Sequence, residues 1–189
     1  MYPEFLSRSL EALERHGSVG FTFPLVKRVD ARGQLLNMWY EDYQMSGLIE
    51  GQRYIELTIE RGRCISLAPS MVFRKSVYDV VGPYRQVYGY NTFDFNMWLR
   101  ICLDFDVFHI DEPLFEYTIH DKQMSEKHWR NPALPSGRIG TAIELVDAIA
   151  RLLVESNSES IDRRRYLSSK LLQINRTFAG LVAGVIEEF

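Results

Sequence analysis

The chain has 189 residues, about one domain's length, with 46% hydrophobic and 25% charged residues, an ordinary globular composition. A formal net charge of −3 sets aside nucleic-acid binding as a main role, because neutralising phosphates needs a basic face. No apolar run approaches the roughly 20 residues that span a bilayer, and the opening MYPEFLSRSL lacks the apolar core of a secretory signal, so a cytoplasmic protein with at most peripheral membrane contact is expected.

Pro3 opens the first predicted helix, over 3–16, in which Phe5, Leu6, Leu10 and Leu13 recur at helical spacing. The β-branched and aromatic run 18–30 predicts a strand, ended by the turn Asp30-Ala31-Arg32-Gly33. Residues 41–62 read as loop and helix with Tyr54, Leu57 and Thr58 on one side. A short buried strand over 70–75 leads into a short helix over 76–82 that Gly82 closes. A helix over 94–104, a strand over 106–111 and another extended segment over 113–120 follow. Cys64 and Cys102 stand near no metal-ligand spacing and read as reduced, buried thiols.

After about residue 126 the pattern changes. A Pro-punctuated linker over 127–137 precedes Ile139, Ile143, Val146, Ile149 and Leu153 at helical spacing. The polar stretch 156–160 then separates these from a second series, Leu167, Leu171, Ile174, Phe178, Leu181 and Val185. Residues 138–189 therefore read as a helical hairpin appended to an α/β body, and Arg163, Arg164 and Arg165 as the solvated side of a helix start. Gly180 and Gly184 have the spacing of close helix packing, but two glycines in a soluble helix are the plainer reading. The body has too few apolar strands for a complete doubly wound sheet, and neither G-x-G-x-x-G nor G-x-x-x-x-G-K-[ST] is present, so no self-contained phosphate cradle is visible.

Chemistry concentrates in YGYNTFDFNMWLR, residues 88–100. Asp94 lies at a predicted helix start among Tyr88, Tyr90, Phe93, Phe95 and Trp98. A carboxylate there can accept the orphan N–H groups of the first turn. It can also act as a general base if the aromatics wall a cleft. Residue type alone leaves both open, capping being the commoner role.

The order of motifs over APSMVFRKSVYDVVGPYRQ and TFDFNMWLRICLDFDVFHIDEPLFEYTIHDKQMS resembles the acceptor-side half of the family 2 inverting glycosyltransferases of the GT-A fold. The carriers are Phe73-Arg74 at a strand end, Gly82 and Tyr84 after a helix, Asp94 before Trp98-Leu99-Arg100, the entry Ile110 to Leu114, and Tyr117, His120 and Ser125 beyond it. The likeness runs over residues 2–126, because the first 36 residues resemble the segment after that family's Asp-any-Asp metal motif. It implies a partial GT-A domain over 1–126 with the hairpin attached, the nucleotide-binding half being expected elsewhere. The implied reaction moves a sugar from a nucleotide-sugar donor to a glycan or lipid-linked acceptor, in cell-surface polysaccharide or glycoconjugate synthesis. In the resemblance Asp94 is the base, and Arg74, Asn91, Thr92 and Trp98 contact substrate. His120 helps hold a divalent cation, Mg²⁺ or Mn²⁺, or the diphosphate. Bland roles stand beside these: Arg100 in a structural ion pair, Trp98 as core or cleft wall, and His120 as an ordinary surface or core histidine.

Three departures count against efficient catalysis: Phe93 and Asn96 replace acidic residues, and Tyr117 stands where an Arg is usual. No D-x-D occurs in the first thirty residues, and Asp104-Phe105-Asp106 falls in a predicted loop. Two non-enzymatic readings remain: a module that binds an acceptor or partner, and a scaffold in which the hairpin mediates dimerisation. A half-domain also exposes sheet edge and apolar surface, so self-association is expected.

Overall fold

The computed structural model describes residues 1–39, 45–61, 64–84, 93–123, 150 and 161–187. The linker, the hairpin's first helix apart from residue 150, and Asn91 and Thr92 lie outside them. Strand β1, Val19–Val29, organises the rest. Its β-branched and aromatic side chains suit a strand buried over most of its length. Along one edge it pairs in parallel with β5, Asp106–Thr118. Its other edge takes two short antiparallel partners, β4 (Val72–Phe73) at Phe21 and Thr22, and β2 (Leu35–Trp39) at Val26 to Val29. Strand β3, Gly47–Ile49, closes the far side antiparallel to β5, so the order is β2-β1-β5-β3 in a mixed sheet.

The predicted turn after β1 forms as read. Asp30 Oδ1 accepts the N–H groups of Arg32 and Gln34, each at 2.8 Å, and Gly33 has φ +79°, which favours glycine. The two extended segments predicted over 106–120 are one strand. The apparent break is a bulge: Pro24 faces Ile110 but Leu25 faces Pro113, so Asp111 and Glu112 are additional on β5. Pro24 and Pro113 lack N–H donors, which explains why the ladder slips there rather than ending. Neither β2 nor β3 shows in the sequence, since β2 has three exposed residues in succession and β3 spans only three.

Alternation along β5 divides the core. Phe108 and Ile110 meet Phe5 of α1, Glu4–Arg15, in a small cluster with Leu114 and Val72. Val107 belongs to the main cluster, made with α2 (Gly51–Arg61), α3 (Lys75–Val81), α4 (Phe93–Cys102) and the first part of α5 (Ile161–Glu187). The buried stripe of α1 is Phe5, Ser9, Ala12 and Leu13, whereas Leu6 and Leu10 face solvent, a correction to the predicted stripe. Tyr54, Leu57 and Thr58 of α2 are all buried.

Helix α2 starts against the α4–β5 turn. The Gly51 N–H donates to Asp106 Oδ1 at 3.2 Å, and a Cβ at residue 51 would stand 2.2 Å from the Cys102 carbonyl oxygen and 2.3 Å from that of Phe105. Helix α5 then docks on α2. Leu167 is fully buried, Lys170 Nζ meets Glu56 Oε1 at 2.7 Å, and the Tyr166 hydroxyl donates to the Gln52 carbonyl at 3.3 Å. Arg163 reaches Asp104 and the Leu103 carbonyl, so one of the three consecutive arginines is docked, while Arg164 and Arg165 are exposed as expected. Among the described residues no helix is long and apolar enough to cross a membrane.

Candidate functional site

Helix α4 begins at Phe93, one residue earlier than predicted, which makes Asp94 a first-turn residue. Its Oδ1 accepts the Phe95 N–H at 2.8 Å. Burial pushes the Asp94 carboxyl above the ordinary carboxylate range, and backbone N–H groups pull it partly back.

A cluster of three hydroxyl and thiol groups lies nearby, with Cys64 within electrostatic reach of Asp94. The Tyr54 hydroxyl lies 2.6 Å from Ser66 Oγ and 3.6 Å from Cys64 Sγ, and Cys64 Sγ lies 3.6 Å from Ser66 Oγ. Burial, then the Asp94 charge, pushes the Cys64 thiol up to about 11, and burial raises the Tyr54 phenol well above its ordinary range. Both stay protonated near neutrality. Cys64 and Cys102 are free thiols, half-buried and buried respectively. No spacing in the sequence ties Tyr54 and Ser66 to Asp94; the cluster is a product of tertiary packing.

Trp98 sits one turn along α4 and is 1% exposed. Its ring meets Phe21 at 5.5 Å, Phe73 at 6.3 Å and Tyr84 at 6.2 Å between centroids. Phe95 is buried as well. The aromatics that α4 is seen to supply near Asp94 therefore belong to the core, and the placement of Trp98 gives it no open face for a substrate. Tyr84 differs, with 43% of its surface exposed. The turn carrying it is held from below by Arg100, which is 4% exposed and donates from Nη1 to the Pro83 carbonyl at 2.9 Å and from Nη2 to the Val81 carbonyl. Gly82, at φ +79°, ends α3 and makes that turn. These two bonds of Arg100 go to main-chain carbonyls.

Arg74 lies elsewhere. Its Nε donates to the Val19 carbonyl at 3.2 Å, and Nη2 to the carbonyls of Leu13 and, at 3.3 Å, His16. The guanidinium thus closes the C-terminal end of α1, where a cation is favoured. This geometry accounts for its charge without a substrate. His120 is exposed beyond β5; its Nδ1 accepts the Lys122 N–H at 3.2 Å, and its own N–H donates to Gln123 Oε1 at 3.3 Å. It shares no described neighbour with Asp94.

Among the described residues no group of three His, Cys, Asp or Glu could hold a metal ion. The carboxylates of Asp104-Phe105-Asp106 serve Arg163 and the Gly51 N–H respectively. His120 belongs to no such group. Asn96 is 2% exposed, and its Oδ1 has no hydrogen-bond partner among the described residues. The site thus reduces to one half-buried carboxylate at a helix start, a neutral hydroxyl–thiol cluster, and one aromatic ring at the surface. No protein-family model matches the chain, and no curated protein matches it.

Proposed function

We propose that the chain is the acceptor-side portion of an inverting glycosyltransferase of the GT-A type, with Asp94 as its general base. The observation that carries this reading is the setting of Asp94: a carboxylate in the first turn of α4, with one oxygen fixed by the Phe95 N–H and its proton affinity raised by burial. A base of this kind is held in place and is stronger than a surface aspartate, as proton abstraction near neutral pH requires. In the proposed step the acceptor hydroxyl gives its proton to Asp94 while its oxygen bonds to the anomeric carbon of the donor. The bond from that carbon to the nucleotide diphosphate breaks, the diphosphate leaves with the electron pair, and the configuration inverts.

The test is transfer from UDP-, GDP- and dTDP-sugars by the protein in its complete reading frame, comparing wild type with Asp94→Asn. Turnover is expected to fall by about a hundredfold or more, the usual worth of a general base. Near-normal turnover by Asp94→Asn would reduce Asp94 to a helix-start residue. A second reading, an acceptor-binding module without catalysis, draws on Phe93 and Asn96 standing in place of acids. Glycan binding without transfer from any donor would favour it.

A further inference from the structure

Tyr84 combines three properties that no other described aromatic near Asp94 shares. It is 43% exposed although large and apolar, its turn is pinned by the buried guanidinium of Arg100, and it leans on Trp98. Trp98 and Asp94 are four residues apart on α4, so their side chains occupy one helix face about 5–6 Å apart at Cβ. Tyr84 rests on Trp98, and the Asp94 charge adds to burial in raising the Tyr84 phenol, which puts the ring within electrostatic reach of the carboxylate. The Tyr84–Trp98 pair is edge-to-face, at 82° between planes. Whichever ring presents its edge, at least one face of the Tyr84 ring is left uncovered by Trp98.

We propose that Tyr84 is a stacking platform for the pyranose ring of the acceptor, holding it with a hydroxyl directed at Asp94. The proposal rests on the glycosyl-transfer reading and names the ligand class of the same site. The chemistry favours a sugar over a purely apolar ligand. A flat ring offers a π face to the C–H groups of a pyranose, while the half-buried Asp94 carboxylate is polar. A platform must also be rigid to orient a hydroxyl, and Arg100 with Gly82 fixes the backbone on both sides of Pro83.

The experiment measures binding without any donor, so it is independent of transfer. Saturation-transfer NMR and titration of the chain with methyl β-D-glucopyranoside, methyl β-D-galactopyranoside and methyl α-D-mannopyranoside give affinities and the contacted face. At least one glycoside is expected to bind with saturation concentrated on one C–H face. Tyr84→Phe should stay within about twofold of wild type, since the ring and not the hydroxyl makes the contact, whereas Tyr84→Leu should bind about tenfold more weakly. Leu preserves an apolar contact to Trp98, so its loss of binding does not reduce to loss of folding, which a melting curve checks. Binding of none of the three glycosides, or unchanged binding by Tyr84→Leu, would overturn it.

Discussion

Arg74 separates a substrate-binding role from a structural one by direct measurement. In the structure its guanidinium serves three main-chain carbonyls, Leu13, His16 and Val19, at the point where α1 gives way to β1. Hydrogen bonds from a charged donor contribute about 1.5–3 kcal/mol each, and a cation at a helix C-terminus adds about 0.3–1 kcal/mol. Arg74 is half-buried and one nitrogen serves two of the acceptors, so the sum is discounted to about 2–4 kcal/mol. For a chain of this size each kcal/mol moves the midpoint by about 2–4 °C, so Arg74→Ala is expected to melt roughly 5–15 °C below wild type. Arg74→Lys should recover less than half of this, since an ammonium cannot reproduce the fork that spans the three carbonyls. Thermal unfolding followed by far-UV circular dichroism reads the effect. If Arg74→Ala melted within about 1 °C of wild type but lost affinity for nucleotide-sugars, the carbonyl bonds would be incidental and the substrate-binding role correct.

Two further variants probe the packing around the site. Gly51→Ala places a Cβ within 2.3 Å of two main-chain oxygens, so α2 must move off the α4–β5 turn. Overpacking of this kind costs about 1–3 kcal/mol, whereas Gly17→Ala, with nothing within 4 Å, should change stability by less than about 0.5 kcal/mol. Urea unfolding compares the two, and equal stabilities would refute the close approach. Leu167→Ala removes a fully buried side chain that ties α5 to the main core, with an expected loss of about 2–5 kcal/mol in the same assay. A loss below about 0.5 kcal/mol would mean that α5 does not dock there.

The parts of the fold that were legible from sequence are those governed by local rules. The Asp30–Gly33 turn, the Gly82 stop and the α2 stripe follow from turn chemistry and helical period. Strands β2 and β3 follow from neither, since they exist only because β1 and β5 offer them edges. Leu6 and Leu10 misled the reading of α1, because two leucines one turn apart look like a buried stripe until Ser9 and Ala12 take the core side. At the site, the placement of Asp94 at a helix start was legible, because an acid ahead of an apolar-faced run marks a first turn. The roles of Arg74 and Arg100 were not, since each reaches main-chain carbonyls at least 17 residues away in sequence. Tyr54, Ser66 and Cys64 are brought together only by tertiary packing, which sets Cys64 within electrostatic reach of Asp94.

The behaviour of Asp94 with pH follows from what surrounds it. Position 96 is buried with an unpartnered amide oxygen, so an acid there would place a second charge in the core, and Asn avoids that. The proton affinity of Asp94 is then set chiefly by burial, opposed by first-turn N–H groups. Because its folded pKa lies above the unfolded value, the folded state holds the Asp94 proton more tightly. The penalty for ionising it is absent below the unfolded pKa, grows as pH rises toward the folded one, and is complete above that. Asp94→Asn removes this penalty while keeping much of its ability to accept a main-chain N–H. Its stability is therefore expected to match wild type within about 1 kcal/mol, and to gain on wild type as pH rises from about 3 to 7. Urea unfolding at a series of pH values measures the difference. The opposite trend, wild type gaining on Asp94→Asn as pH rises, would show that the first-turn N–H groups outweigh burial. Asp94 would then be a carboxylate stabilised in its charged form, too weak a base for the proposed transfer.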